Sequence, residues 1–181
     1  MKYSYFKQGQ KIGLRSFERD DLEHFKKWFC DERVTEYLEM GSRPYTPKAL
    51  ELLYTEACES PNAVAFIICD VKTGQAVGSA GLYLINWEAR RAQYRILIGN
   101  SDFHGKGIGS EVNALIIDYG FKRLNLHNIY LGVNAENEKA LKSYKKSGFV
   151  EEGRQRDFIF NNGRYYDCIV MSLLASDYLK F

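Results

Sequence analysis

The sequence predicts an α+β domain with a mixed, mostly antiparallel sheet flanked by helices, and three observations carry that expectation. Apolar residues recur with period two in some stretches and with period 3.6 in others, and the two kinds of stretch are interleaved along the chain. Between residues 92 and 133 the order is strand, glycine-rich turn, helix, strand, a unit that calls for one parallel pairing inside the sheet. The chain then closes on two β-rich runs joined through Asn161-Asn162-Gly163, whose Asn-Gly step is a hairpin-turn signal.

Residues 11–17 alternate like a strand, and residues 20–30 carry Leu22, Phe25, Trp28 and Phe29 at helical spacing. A short second helix is expected over 33–38 and a loop over 41–45. Thr46-Pro47 then reads as the N-cap and first-turn proline of a helix that runs to about residue 59. An apolar run at 63–69, turn chemistry at 70–74 and a second run at 75–84 read as a hairpin. A third run at 92–98 follows the polar stretch 86–91 and completes a meander. Residues 104–109 make the glycine-rich turn, and the helix after it has Ile108, Val112, Leu115, Ile116 and Tyr119 on one face. A strand is expected at 129–133, a helix at 137–147 ended by Gly148, and the closing strands at 152–160 and 164–173.

Length and composition exclude several classes of function. The 181 residues suit one domain spanning 1–181, and 45% apolar with 27% charged residues is the mixture of an ordinary globular protein. A net charge of +2 with no block of like charges offers nothing to a nucleic acid, and no apolar run is long enough for a membrane span. Cys30, Cys58, Cys69 and Cys168 form no Cys-x-x-Cys pair and the N-terminus has no secretion signal, so the cytoplasm is the expected compartment. His24, His104 and His127 lie far apart, so no metal site is expected.

His104-Gly105-Lys106-Gly107-Ile108-Gly109 stands where a strand ends and a helix begins, which gathers unpaired backbone N–H groups and the positive helix end at one spot. Glycines let the backbone approach an anion without Cβ interference, and Lys106 adds a mobile positive charge. The Gly-Lys-Ser/Thr ending of a Walker loop is missing, and the G-x-G-x-G spacing is not a dinucleotide fingerprint. A glycine-rich turn before a helix is also plain architecture. A second cluster, Asn137, Ala140, Leu141, Tyr144 and then Gly148-Phe149, places Asn137 and Tyr144 on one helix face. By itself Tyr144 reads as core filler more readily than as a catalyst.

Together the two clusters change the reading. A strand, glycine loop and helix, followed by a strand and Asn-x-x-Ala-x-x-x-Tyr-x-x-x-Gly-Phe, resembles the GNAT superfamily of N-acetyltransferases. The resemblance runs from Leu14-Arg15 and Asp20-Asp21-Leu22 through the terminal hairpin. It is closest to the spermidine/polyamine branch, through residues 126–131 and 136–140, and to the ribosomal-protein N-terminal branch, through residues 31–35 and 161–163. Some sugar-nucleotide aminoacetyltransferases look similar.

The resemblance implies acetyl-CoA as co-substrate and a primary amine as acceptor: a polyamine, an aminosugar nucleotide or a protein N-terminus. It implies that residues 104–109, with Ser110, cradle the CoA pyrophosphate, although His104 stands where the family usually has Gln or Arg. Ile96, Leu97 and Ile98 would pair with the pantetheine arm and supply an oxyanion N–H, Asn137 would reach the cofactor, and Tyr144 would sit near its sulfur. Direct attack in a ternary complex needs a neutral amine and an acid for the departing thiolate, a role that suits Tyr144. No acyl-enzyme is needed, so the four cysteines read as buried apolar residues.

The base is open. Gln93 occupies the position where polyamine-acetylating relatives often carry an acid, and Glu32, Glu36, Glu39 and Glu88 are candidates that read more readily as solvated charges. Residues 31–45 add Tyr37 and Tyr45 to these acids and suit a cationic amine, whereas Arg90, Arg91 and Arg95 beside Trp87 suit a phosphate-bearing acceptor. A rival reading is an acyl-CoA-binding sensor that keeps the fold without turnover. Family habit and the 13 Tyr and 11 Phe predict self-association, with a dimer as the simplest form.

Overall fold

The computed structural model describes residues 4–38 and 44–178, and within them eight strands form one sheet. The strands are β1 (Lys7–Gln8), β2 (Ile12–Ser16), β3 (Val64–Asp70), β4 (Ala76–Asn86), β5 (Arg91–Ile98), β6 (Asn128–Asn134), β7 (Val150–Asn161) and β8 (Arg164–Leu174). The helices are α1 (Leu22–Trp28), α2 (Glu32–Thr35), α3 (Pro47–Tyr54), α4 (Ile108–Lys122), α5 (Glu138–Lys146) and α6 (Ala175–Tyr178). Spatial order is β1-β2-β3-β4-β5-β6-β8-β7, and every neighbouring pair is antiparallel except β5 with β6. That exception follows from α4, whose length carries the chain back so that β6 starts beside the start of β5. The expected α+β architecture is present.

Local chemistry sets the element ends. The Thr46 hydroxyl accepts from the Ala49 N–H at 3.2 Å with Pro47 in the first turn of α3, and Asp31 caps α2 through the Arg33 N–H at 3.0 Å. The Asp70 carboxylate closes the β3–β4 turn by accepting from Thr73 N–H at 3.1 Å and the Thr73 hydroxyl at 2.7 Å. Asn162 and Gly163 have φ of 50° and 80°, the pair of left-handed residues that a two-residue hairpin loop needs.

Around β3 the sheet is covered on both faces. On one side Phe66 and Ile68 of β3 join Ile108, Val112, Ile116 and Ile117 of α4, and on the other Ile67 and Cys69 join Phe17, Leu22, Phe25, Trp28 and Leu50 around α1 and α3. Burial on both faces is why β3 reads as a continuous apolar run. A bidentate pair ties β2 to the start of α1: Arg15 donates to both carboxylate oxygens of Asp21, at 2.7 and 2.5 Å. Asp21 also accepts from the Glu18 N–H at 2.9 Å, so this buried carboxylate has three donors.

Some elements differ from expectation. β1 and α6 are too short to leave a period in the sequence. The first helix opens with a 3-10 turn over Arg19–Asp21, and α3 widens into a π turn over Thr55–Glu59. Residues 41–43 of the expected loop lie outside the described residues. Cys69 and Cys168 are buried as read from sequence, but Cys30 and Cys58 are exposed. Cys30 follows the last turn of α1, and the π turn sends Ala57 rather than Cys58 into the core. Among the described residues no helix is long and apolar enough to cross a membrane, and no three His, Cys, Asp or Glu are arranged to hold a metal ion.

Candidate active site

β5 and β6 pair only through Arg91 with Asn128, Ala92 with Ile129 and Gln93 with Tyr130. Beyond these, β5 stays bound to β4 as far as Ile98 and β6 stays bound to β8 as far as Asn134, so the two strands part into a wedge with unpaired edges. The Leu97 carbonyl is turned into β4, where it lies 2.2 Å from the point a Cβ on Gly78 would occupy. Only glycine permits that approach. The Ile98 carbonyl points the other way and accepts from His104 Nε2 at 2.8 Å. Successive backbone groups of a strand alternate in direction, so Ile96 and Ile98 offer theirs to the wedge and Leu97 does not. An open strand edge of this kind takes up an extended, amide-bearing ligand as an added strand.

The wedge opens onto the glycine loop. Gly105 and Gly107 adopt φ of 72° and 79°, and Gly107 precedes α4 with no side chain to cap it. The orphan N–H groups of the first turn, at Ile108, Gly109 and Ser110, are thereby left for a ligand with the positive helix end behind them. A Cβ on Gly109 would meet nothing within 4 Å, so neither backbone angle nor packing within the chain demands glycine there. The His104 ring must carry its proton on Nε2 to bond a carbonyl, and it ties the loop to the end of β5. The Lys106 ammonium rests 5.3 Å from the centre of the Phe103 ring. Ahead of the loop, Ser101 donates to Asp31 at 3.0 Å, and Asp31 is held down to about 2, chiefly by the Arg33 guanidinium.

Tyr144 stands over the point where the strands part. Its ring packs edge-on against Tyr94, with centroids 6.3 Å apart, and against Phe149 at 5.7 Å. Among the described residues its hydroxyl has no hydrogen-bond partner, and burial pushes its pKa up to about 12. α5, which carries it, is held by a buried amide: Asn113 Oδ1 accepts from the Tyr94 hydroxyl at 2.8 Å while its Nδ2 donates to Ser143 at 3.3 Å and Ser147 at 3.1 Å. Ser110 and Ser143 hydroxyls meet at 3.1 Å, which ties the first turn of α4 to α5. Asn137 is the N-cap of α5: its Oδ1 accepts from the Ala140 N–H at 3.1 Å, leaving its amide N–H groups free to turn to a ligand. Neither Gly78 nor Asn113 was read from the sequence. The signals were there, a glycine inside a strand pattern and an amide on the buried side of a helix.

The candidate base and acceptor residues are dispersed. Gln93 accepts from Arg95 Nε at 2.9 Å, and Arg95 is also paired with Glu56 at 2.9 Å and stacked 4.6 Å over Tyr83. Its charge is already matched. Trp87, Glu88 and Arg90 sit in the β4–β5 connection, beyond the start of β5 at Arg91, which is itself roughly 17 Å of strand from Ile96, with Trp87 donating to Pro61 O and Arg90 to Asn125. Glu32 is exposed on α2, and Glu39 lies outside the described residues. The end of α2 does reach the terminal hairpin, since Asn161 donates to the Glu36 carbonyl at 2.8 Å. There burial and then the Glu36 carboxylate raise the Tyr37 pKa, with Glu136 and Tyr166 close by. Tyr45 stacks on Phe29 at 4.1 Å.

The fold that carries this strand edge, uncapped helix start and half-buried tyrosine has counterparts among known proteins. The profile of the GNAT acetyltransferase domain matches residues 11–150. Spermidine N(1)-acetyltransferase of Escherichia coli K12 is 35% identical over 170 residues, covering 93% of this chain and 88% of that one. The Vibrio cholerae enzyme of the same name is 35% identical over 171 residues, covering 94% and 96%. Its crystal structure in complex with CoA and spermine superposes with a TM-score of 0.82 over 93% of this chain and 98% of that one, and a dodecameric form does so at 0.76 over 93% and 96%. The chain therefore belongs to the GNAT family and is an acetyl-CoA-dependent N-acetyltransferase.

Proposed function

We propose that the protein acetylates a primary amine of a polyamine such as spermidine, by direct attack on acetyl-CoA in a ternary complex. The observation that carries this is the unpaired edge of β5 running into the uncapped first turn of α4, in a chain so similar to spermidine acetyltransferases. On this reading residues 104–110 take the pyrophosphate, Ile96 and Ile98 pair with pantetheine, and the Ile96 N–H is aimed at the developing oxyanion. Asn137 holds the cofactor through its free amide N–H groups. Tyr144 protonates the departing thiolate.

The acceptor lies on the face of β5 that carries Gln93, toward Glu36, Tyr37 and Glu136 at the rim made by α2 and the hairpin. Glu36 and the Tyr37 ring favour a polycation, with Glu136 already paired to Arg164 at 2.7 Å, and of the arginines that would hold a phosphate Arg95 is paired with Glu56. We also read residues 1–181 as one acetyltransferase domain and infer self-association through the β7–β8 hairpin, where Phe158, Phe160 and Tyr165 are more than half exposed.

The test is a thiol-release assay with acetyl-CoA across spermidine, spermine, an aminosugar nucleotide and a peptide N-terminus. Turnover is expected with the polyamines, and Gly107→Val should raise the KM for acetyl-CoA. Acetylation of only the sugar nucleotide or the peptide would overturn the acceptor assignment, and tight CoA binding without any turnover would favour a sensor.

A further inference from the structure

Lys11 stands immediately before β2, 95 positions from Lys106, yet its ammonium donates to the Lys106 carbonyl at 2.9 Å. The same Nζ is 3.8 Å from the point where a Cβ on Gly107 would stand, so it sits on the rim of the glycine loop. The fold holds it there. The β1–β2 turn is closed by Gly9 N–H to Ile12 O at 2.8 Å, and the Lys11 N–H donates to Glu111 Oε1 at 2.9 Å in the first turn of α4. Glu111 is directed to the backbone N–H groups of this turn, with the Ile12 N–H at 3.5 Å as well. Among the described residues no carboxylate pairs with the Lys11 ammonium.

A cation whose partner is a neutral carbonyl, placed beside uncapped N–H donors and the positive end of a helix, raises the local potential without a counter-charge. Such an arrangement is stable when an anion completes it. Acetyl-CoA is the anion this family brings to the loop, and it carries phosphate at two places, the pyrophosphate and the ribose 3′-phosphate.

We propose that Lys11, from outside the glycine loop, binds a phosphate of CoA; this rests on the placement of the cofactor given above. Lys11→Met keeps most of the stem and removes the charge. Isothermal titration of the folded protein with CoA should show a roughly three- to tenfold weaker Kd for Lys11→Met, the size of one exposed charge-assisted contact, and a Kd near that of the wild type for Lys11→Arg. With dephospho-CoA as titrant, a loss that disappears identifies the 3′-phosphate as the partner, and a loss that persists identifies the pyrophosphate.

Gly109→Leu supplies the control, because a side chain there meets no protein atom within 4 Å of its Cβ and occupies the space assigned to the ligand. A Lys11→Met protein with unchanged thermal midpoint and wild-type CoA affinity, alongside a Gly109→Leu protein that no longer binds, would overturn the Lys11 assignment and leave the loop intact. If neither variant altered CoA affinity, the placement of the cofactor would fall with it. A Lys11→Arg protein as weak as Lys11→Met would refute the charge argument.

Discussion

Removing the Tyr144 hydroxyl separates chemistry from packing, because the ring makes the contacts and the oxygen makes none. In Tyr144→Phe the edge-on contacts with Tyr94 at 6.3 Å and Phe149 at 5.7 Å are retained, and no hydrogen bond within the described residues is lost. Stability should therefore stay within about 0.5 kcal/mol of wild type, as for substitutions that create no cavity and orphan no polar group. Catalysis should not. Loss of a general acid lowers kcat by roughly 10²–10⁴, or about 3–5 kcal/mol at 1.36 kcal/mol per decade.

The small end of that range is expected. A tyrosine raised to about 12 is a weaker acid than a free thiol of pKa about 8.5, so complete proton transfer before C–S cleavage would be uphill by roughly 5 kcal/mol. On the proposed role the proton therefore moves as the bond breaks, and the hydroxyl would contribute mainly through a hydrogen bond that strengthens with charge on sulfur. The pH dependence has a definite sign. The acid acts in its protonated form, its folded pKa is raised, and so its contribution is present below about 12 and is lost only above it. Across pH 6–10, kcat/KM for the polyamine should rise as the amine deprotonates, with no alkaline fall due to Tyr144. Steady-state kinetics at saturating acetyl-CoA, with CoA affinity measured separately, reads both. A folded Tyr144→Phe enzyme with wild-type kcat on its true acceptor would refute the assignment and return Tyr144 to packing.

Asp21→Ala removes the carboxylate that holds the Arg15 guanidinium, and denaturant unfolding should show a loss of about 3 kcal/mol; the low end applies because the Arg15 side chain keeps 22% of its exposure. Gly78→Ala puts a Cβ 2.2 Å from the Leu97 carbonyl, a backbone contact that no rotamer relieves, so it should cost about 1–3 kcal/mol and raise the KM for acetyl-CoA by moving β5. A wild-type melting temperature in that variant would show that the two strands are not so close. Light scattering at micromolar concentration should give a mass above the monomer, and Phe158→Ser with Phe160→Ser should lower it, whereas a monomeric wild type would end the hairpin interface.

Much of this protein was legible one segment at a time. Burial with period 3.6 or two located most elements, Asn162-Gly163 announced its hairpin because two successive left-handed residues suit little else, and the glycines of 104–109 marked a helix start that backbone alone approaches. Asn137 and Tyr144, seven positions apart, fell on one helix because spacing along a helix is a local property.

Register is not local, and what depends on it came only with the tertiary structure. Residues 96–98 read alike as apolar strand, but the direction of each backbone group depends on pairing with β4, and that pairing turns Leu97 away from the wedge while freeing Ile96 and Ile98. The wedge itself exists because β5 and β6 hold different partners past Gln93. Arg95 looked like a free cation until Glu56, 39 positions away, was found against it. Lys11 looked like any surface lysine at the start of a strand, and only the packing of the β1–β2 turn on α4 sets its charge beside the glycine loop. Local propensity fixes what each segment prefers, whereas strand register and long-range contacts decide which polar groups are left unpaired for a ligand.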